Sequence, residues 1–186
     1  MKIVAATIDD ARLIGEAVVD AIGPELAREF AGEHTVDDVV RLFSRLAART
    51  DSQYSYLNAL KAVDDDGSAA GVIVAYDGGR LHELRKAFFE EVKLVLDRDM
   101  DGKMPDECDS DEYYLDSLSV LPQYRGRGIA RTLIEAMSER SHMAGKPLGL
   151  LCDKSNLRAR RLYDSAGFRQ VGERMFAWEL MDHLRK

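Results

Sequence analysis

Cysteine, proline and long apolar runs are all scarce in this chain. Of its 186 residues, two are cysteine and four are proline. Cys108 and Cys152 are too few for a disulfide framework or a structural zinc site, so we expect two reduced thiols. No apolar run reaches the roughly eighteen residues of a membrane span, and the amino terminus lacks the pattern of a signal peptide. These absences predict a cytoplasmic protein without a membrane partner.

Basic residues are outnumbered by acidic ones, and this limits the partners that we expect. The formal net charge of −7 argues against nonspecific nucleic-acid binding, which needs many basic phosphate contacts. The imbalance is local, however. Residues 97–112 hold eight acids and two bases, whereas residues 123–174 hold eleven bases and five acids. The basic region favours one compact, highly charged ligand rather than a nucleic acid.

Hydrophobic periodicity predicts one α/β domain over residues 1–186. We expect helices over 9–22, 25–31, 36–49 and 80–98, and a hairpin over 53–78. The second half alternates, with strands predicted over 112–120, 146–152 and 168–180 and helices over 128–144 and 156–166. Thr35 with Asp38 three residues later is typical of a capping box. The acidic stretch before residue 112 is expected to be a solvated and mobile loop.

This acidic stretch opens like a calcium loop, with Asp97, Asp99, Asp101 and Gly102. The position that should hold a bidentate glutamate is Cys108, and no helix is predicted after it. The four histidines also lack the spacing of metal ligands. We therefore expect no metal.

The turn QYRGRG, residues 123–128, lies between a predicted strand and a predicted helix. A helix N-terminus with glycines that let the backbone approach a ligand is an anion site, and its natural ligand is a phosphate or pyrophosphate. The Gly-Lys-Ser/Thr of a nucleotide P-loop is absent, and arginine replaces the last glycine of a dinucleotide fingerprint. A glycine-rich turn with solvated arginines stays open as the structural alternative.

A second motif follows in SNLRARRLYDSAGF, residues 155–168. Asn156 and Tyr163 are seven residues apart, which places them on one face of a helix. The structural alternatives are that Asn156 caps this helix and that Tyr163 packs in the core.

Together the two motifs resemble those of the GCN5-related N-acetyltransferase (GNAT) superfamily. Residues 123–128 meet its Q/R-x-x-G-x-G/A pattern, and Asn156, Ala159, Tyr163, Gly167 and Phe168 meet N-x-x-A-x-x-x-Y-x-x-x-G-F. The resemblance covers residues 112–170. It implies the acyl-CoA N-acyltransferase fold, a central mixed, mostly antiparallel sheet that is flanked by helices and splayed at the cofactor strand. It also implies acetyl transfer from acetyl-CoA to a primary amine, directly within a ternary complex.

The resemblance implies a role for each matching position. The backbone of Leu118, Ser119 and Val120 would pair with the pantetheine arm. Asn156 would bind the pantetheine region, and Tyr163 would protonate the leaving thiolate. The pyrophosphate would be cradled by the amides of Arg125, Gly126, Arg127, Gly128, Ile129 and Ala130. The 3′-phosphate would meet Arg158, Arg160 or Arg161, with the choice left open. Residues 1–110, with a helical insertion at about 80–98, would form the acceptor side, and residues 111–186 would bind acetyl-CoA.

The general base is less clearly indicated. Alternation along a strand places Glu112, Tyr114 and Asp116 on the side of Leu118 and Val120. We expect Asp116 to accept the amine proton, with Glu112 second and acting through water. A salt bridge at a strand end is the structural alternative for Asp116.

Several alternatives remain open at the level of the whole chain. One is a non-catalytic acetyl-CoA-binding regulatory module, and another is a nucleotide-binding protein that uses the same turn. A homodimer is also open, with Phe88, Phe89 and Trp178 serving as core or as contacts between copies. The acidic balance favours a small amine or polyamine over an acidic peptide as acceptor.

Overall fold

The structure, a computed structural model, describes residues 1–102, 104–176 and 179–186. The strands within these ranges are β1 Lys2–Ala5, β2 Ala59–Val63, β3 Ala69–Asp77, β4 Tyr113–Val120, β5 Leu148–Cys152, β6 Arg169–Phe176 and β7 Glu179–Arg185. The α-helices are α1 Ala11–Ile22, α2 Pro24–Ala31, α3 Val36–Ala48, α4 Leu81–Leu96, α5 Ile129–Met143 and α6 Leu157–Ser165. Trp178, expected to pack in the core or against a second copy, lies outside the described residues.

These strands form one sheet in the order β1-β2-β3-β4-β5-β7-β6. Neighbours run antiparallel except for β4 and β5, which run parallel. Helices α1 to α4 bury their apolar stripes on one face of the sheet, and α5 and α6 bury theirs on the other. The expected mixed, mostly antiparallel sheet flanked by helices is confirmed.

Local signals account for the way α1 and α3 are positioned. The Thr35 hydroxyl accepts from the Asp38 amide at 3.2 Å, and the Asp38 carboxylate accepts from the Thr35 amide at 3.0 Å, so the predicted capping box starts α3. Gly15 lets α1 approach α3 closely, because a Cβ there would lie 2.7 Å from the Ser44 nitrogen. The end of α1 consequently reaches β4, where Asp20 accepts a 2.7 Å hydrogen bond from the Ser119 hydroxyl.

The central strands β4 and β5 separate after a short contact. Their register contains two pairs, Tyr113 with Leu148 and Tyr114 with Gly149. Beyond these pairs the edge of β4 that faces β5 is open, which is the splay that the resemblance implies. The opening lies beside the N-terminus of α5.

A β-bulge interrupts β4 at Asp116. Ser117 lies opposite Val74 of β3 and Leu115 lies opposite Ala75, so Asp116 is one extra residue between two successive pairs. An extra residue disrupts the ladder locally and shifts the alternation of side chains by one position.

The bulge changes which residues of β4 share a face. Leu115 before it and Leu118 and Val120 after it all pack in the cluster under α5. Tyr114 packs on the opposite face, edge-to-face against Tyr76 at 5.7 Å. The expectation that Tyr114 and Asp116 lie on the side of Leu118 and Val120 is therefore wrong, because strict alternation holds only in a strand without a bulge. Asp116 instead interacts with Tyr54 on the face of Tyr114.

The predicted hairpin over 53–78 is shorter than expected. Its strands are β2 and β3, whereas residues 56–58 form a 3-10 turn. The segment before β2 is held by its own polar groups: the Asn58 side chain donates to the carbonyls of Ser52 and Gln53, both at 3.1 Å. These side-chain bonds compete with a strand ladder, which the alternating pattern alone does not reveal.

The acidic stretch after α4 is exposed near its start and buried near its end. Asp97, Asp99 and Asp101 are exposed, but Glu107 is only 2% exposed and Glu112 is fully buried. The expectation of a solvated loop is wrong for Glu107, because Arg85 of α4 pairs with it. Glu112, expected at the start of a strand, directly precedes β4 and pairs with Arg185 of β7.

Candidate active site

A groove of about 500 Å³ lies in the opening beside β4. Its walls come from the end of β4, the 124–128 turn, the start of α5, α6 and the last turn of α1. The predicted cofactor-binding residues that line it are Leu118, Ser119, Val120, Arg125, Gly126, Gly128, Ile129, Ala130, Asn156 and Tyr163. The fold thus gathers two motifs that lie far apart in sequence around one cavity.

The open edge of β4 presents backbone groups to this groove. The Leu121 amide donates to Ala70 of β3 at 3.0 Å, and Ser119 lies opposite Val72 two residues earlier. Hydrogen-bonded and non-hydrogen-bonded pairs alternate in an antiparallel ladder, so the groups of Leu118 and Val120 point away from β3. They point toward the groove, whereas those of Ser119 point toward β3. The expectation that the Ser119 backbone pairs with the pantetheine arm is therefore wrong.

The glycines of the turn are required by backbone conformation rather than by space. Gly126 and Gly128 both have φ of +79°, in the region that side chains disfavour. A Cβ at either position would have open space around it. Gly128 is the N-cap of α5, and the first amides of a helix have no intrahelical acceptor. The turn therefore aims a helix N-terminus at the groove.

The arginines of the turn are less available than its amides. Arg125 donates from Nε to the Val120 carbonyl at 2.8 Å and from Nη2 to Asp20 at 3.3 Å. Arg127 does not line the groove; it pairs with Asp64 at 3.2 Å and lies 5.3 Å from the centre of the Tyr124 ring. Both guanidinium groups brace the turn, so the anion site consists mainly of backbone.

Among the arginines of α6, Arg158 lines the groove and Arg160 does not. Arg160 instead donates to Asp182 of β7 at 2.6 Å and to Asp164 at 3.1 Å. A phosphate in the groove would therefore pair with Arg158. The bonds of Arg160 to Asp182 and Asp164 would stay intact.

Asn156 and Tyr163 both line the groove from α6. Asn156 is the N-cap of α6, since its Oδ1 accepts from the Ala159 amide at 3.0 Å. That bond leaves its Nδ2 group to donate to a ligand. Tyr163 packs edge-to-face on Phe168, with ring centres 5.5 Å apart. Burial raises the pKa of Tyr163, with a smaller contribution from Cys152, so the phenol is neutral and can donate a proton.

The sequence profile of the Acetyltransferase (GNAT) family matches residues 19–168. The chain belongs to this family. Two similar solved structures support the fold. An acetyltransferase has 27% identity and a TM-score of 0.80, with 100% of this chain and 98% of that one covered. An N-acetyltransferase from Staphylococcus aureus Mu50 has 23% identity and a TM-score of 0.83, with both chains covered in full.

A more distant GNAT structure is the spermidine/spermine N-acetyltransferase SpeG from Vibrio cholerae, in mutant forms. It has 14% identity and a TM-score of 0.56, with 99% of this chain and 91% of that one covered. This likeness concerns the fold alone. None of the curated protein sequences matches the chain. In the described residues, no helix has the length and apolar character needed to cross a membrane.

Asp116 lies at the bulge, on the sheet face that α1 to α4 cover. Its carboxylate accepts from the Ser117 hydroxyl at 2.7 Å and interacts with the Gln53 and Tyr54 side chains. Burial raises the pKa of Asp116 to about 6, although those hydrogen bonds and the charge of Arg85 oppose the shift. Such a carboxylate is ionised at neutral pH and basic enough to accept a proton.

A buried network that the sequence analysis missed supports this carboxylate. Glu107 accepts from the Tyr76 hydroxyl at 2.7 Å and from the Gln53 amide at 3.1 Å, and it forms an ion pair with Arg85. One signal was present in the sequence: Arg85 lies on the apolar stripe of α4, where it is only 3% exposed. An arginine on a buried stripe indicates a buried acid partner.

Glu112 lies apart from the groove lining, in a different polar cluster. It is fully buried and accepts from His183 Nε2 at 2.8 Å, from Arg185 Nε at 2.7 Å and from the Asp109 amide at 3.0 Å. Gly149 makes room for it, because a Cβ there would collide with the carboxylate. This environment suits a structural ion pair better than a proton acceptor for a substrate.

We expect Glu112→Gln to lower the free energy of unfolding by about 3 kcal/mol, because it removes one partner of a buried ion pair. The loss should be at the low end for such pairs, since Arg185 keeps Asp109 and Asp111 as partners. Urea denaturation measures it. Glu83→Gln is the control, because Glu83 is exposed and its surface pair with Arg80 contributes little to stability. A stable Glu112→Gln protein with a large loss of kcat would instead identify Glu112 as the base.

The same cluster includes the one group of acids and histidine, within the described part of the chain, that is close enough to hold a metal ion. Its members are Asp109, Glu112 and His183. Arg174 pairs with Asp109 and Arg185 pairs with both acids. Guanidinium groups therefore already neutralise these carboxylates.

Proposed function

We propose that the chain transfers the acetyl group of acetyl-CoA to a primary amine, by direct transfer in a ternary complex. The observation that carries the proposal is a single groove in which an open strand edge, a helix N-terminus and the neutral phenol of Tyr163 all face one ligand. Acetyl-CoA has a group for each: the amides of pantetheine, the pyrophosphate and the sulfur.

The cofactor contacts follow from the geometry of the groove. The pantetheine arm would lie along β4 as an added strand, bonded to the backbone of Leu118, and the Val120 amide would face the thioester carbonyl. The amides from Arg125 through Ala130 would bind the pyrophosphate at the start of α5. The Asn156 Nδ2 group would donate to the pantetheine region, and Arg158 would meet the 3′-phosphate.

In the reaction, the amine nitrogen attacks the thioester carbonyl carbon and its proton passes to Asp116, directly or through water. The Val120 amide, which points into the groove, would stabilise the oxyanion of the tetrahedral intermediate. The C–S bond then breaks, and the sulfur takes the proton of the Tyr163 hydroxyl. Bringing the two substrates together would supply a large part of the rate.

The two halves of the chain would divide the work, with residues 1–110 mainly on the acceptor side and 111–186 mainly on the cofactor side. The end of α1 is an exception: Asp20 and Ala21 belong to residues 1–110 but line the cofactor groove.

Ligand-induced stabilisation tests the cofactor assignment. We expect CoA at 100 times its Kd to stabilise the protein by about 2.7 kcal/mol, while ATP and NAD leave its Tm unchanged. Gly128→Ala should weaken CoA binding about tenfold, because its Cβ opposes the left-handed backbone that aims the helix N-terminus. Gly145→Ala is the control, since Gly145 has φ of +70° and ends the same helix. Equal shifts with ATP and CoA would contradict the assignment.

Turnover distinguishes an enzyme from a binding module. Release of CoA thiol from acetyl-CoA in the presence of a panel of primary amines is the expected result. CoA binding without turnover across the panel would indicate a regulatory module instead.

A further inference from the structure

A second cavity, of about 380 Å³, lies on the α1-to-α4 face of the sheet. We propose that it holds the apolar body of the acceptor, an aryl-alkyl primary amine; this rests on the proposed function. The cavity is bounded by α1, α2, α3, α4, the segment after α4 and the end of β6. The aromatic residues Phe30, Phe43, Tyr54, Phe88 and Phe176 account for much of its lining.

Position connects this cavity to the reacting groups. Tyr54 lines the cavity, and its hydroxyl interacts with the Asp116 carboxylate. The last turn of α1 separates the two sites, because Ala21 lines the cofactor groove and Ile22 lines the cavity. Asp116 lines neither site, but Tyr54 connects it to the cavity and α1 borders both the cavity and the groove.

The chemistry of the walls selects an apolar ligand. The Phe30 ring centre lies 6.3 Å from that of Phe43 and 6.1 Å from that of Phe88, so three rings meet at one wall. Flat rings at a partly open cavity offer stacking and edge-to-face contacts to another ring. Phe88, expected as core or dimer contact, thus also lines a cavity. The volume is at the lower end of ligand cavities, about 300–1,000 Å³, which suits one ring system on a short chain.

The charges around the cavity do not suit a polyamine. Glu29 is the acid of its lining, and Arg98 is the base. Arg98 donates to the Phe30 carbonyl at 2.5 Å and lies 5.5 Å from the centre of the Phe30 ring. In the acidic segment near the cavity, the Glu107 carboxylate forms an ion pair with Arg85 and is therefore not available to an ammonium group of the ligand. Of the two acceptors that the acidic balance of the sequence favours, a small amine and a polyamine, this lining suits the small amine.

Steady-state kinetics with matched amines tests the proposal. We expect kcat/KM to be about 10- to 100-fold higher for phenethylamine than for cadaverine, because burial of an aryl group favours the first substrate only. A higher kcat/KM for cadaverine would overturn the apolar acceptor and leave acetyl transfer intact. Higher activity of octanoyl-CoA than of acetyl-CoA would also overturn it, since the cavity would then hold an acyl chain.

A variant that fills the cavity provides a second test of the proposal. Leu26→Trp enlarges a residue of the lining and should lower kcat/KM for phenethylamine at least tenfold more than kcat/KM for methylamine, with the KM for acetyl-CoA unchanged. Leu94→Trp is the control, because Leu94 lies on the surface of α4 and is 68% exposed. Equal losses with both amines would contradict the assignment.

A binding measurement separates failure of this inference from failure of the proposed function. Calorimetric titration of the CoA-bound wild-type protein with phenethylamine should show binding that Leu26→Trp abolishes. This readout needs no turnover. Absence of binding overturns the cavity assignment, whereas binding without turnover overturns only the acetyl transfer.

Discussion

Tyr163→Phe is expected to lower kcat on the order of 10²- to 10³-fold, with little change in CoA affinity or Tm. The substitution removes one hydroxyl and keeps the ring that packs on Phe168. The phenol is protonated at neutral pH and can give its proton to the sulfur as the C–S bond breaks, although burial raises its pKa and makes it a weaker acid. Without that proton the group leaves as a thiolate, and the barrier rises.

Initial rates of thiol release and calorimetric CoA titration measure the two quantities separately. Tyr56→Phe is the control, because Tyr56 lies on the acceptor side, packed against the core, and also loses one hydroxyl. A Tyr163→Phe enzyme within threefold of wild type would show that the sulfur is protonated by another donor, such as water.

Asp116→Asn should lower kcat/KM by a similar factor and remove a pH dependence. The pKa of about 6 means that wild-type activity falls about tenfold per pH unit below 6, as the carboxylate takes up a proton. Asp116→Asn has no carboxylate at this position, so its residual activity should not fall as the pH drops below 6. Asp37→Asn, on the exposed side of α3, is the control and should keep the wild-type profile.

As the pH falls through 6, the contribution of Asp116 to stability should rise while the catalytic activity falls. The folded pKa of Asp116 lies above the ordinary value of 3.8, so the folded state binds this proton more tightly than the unfolded chain. Its contribution to stability is complete below about pH 4 and is lost as pH rises through 6. Above pH 7, Asp116→Asn should therefore have a Tm equal to or above that of wild type. A lower Tm would mean that the carboxylate serves the fold.

Local signals made much of the fold and of the cofactor groove predictable. The capping box at Thr35 depends on residues only three positions apart, and the glycines of the 123–128 turn set the backbone only locally. One helix fixes the spacing of Asn156 and Tyr163. What could not be predicted depends on long-range packing. Gln53 meets Glu107 across 54 positions, and Arg185 meets Glu112 across 73. No periodicity in the sequence encodes such pairs.

The acceptor cavity was unpredictable for a related reason. Its aromatic residues come from several elements, and each has the spacing of an ordinary buried stripe. Whether three stacked rings fill the core or line an opening depends on how the helices meet, which residue identity alone does not determine.

The single extra residue in β4 has a consequence for comparing this chain with its relatives. A homologue without the bulge, aligned to β4 with no gap, would have each later residue matched to one whose side chain points to the other face. Leu118, which packs on the α5 side, would then be matched to a residue whose side chain points to the acceptor side. Alignments of this strand should place a one-residue gap at the bulge before any general base is transferred between relatives.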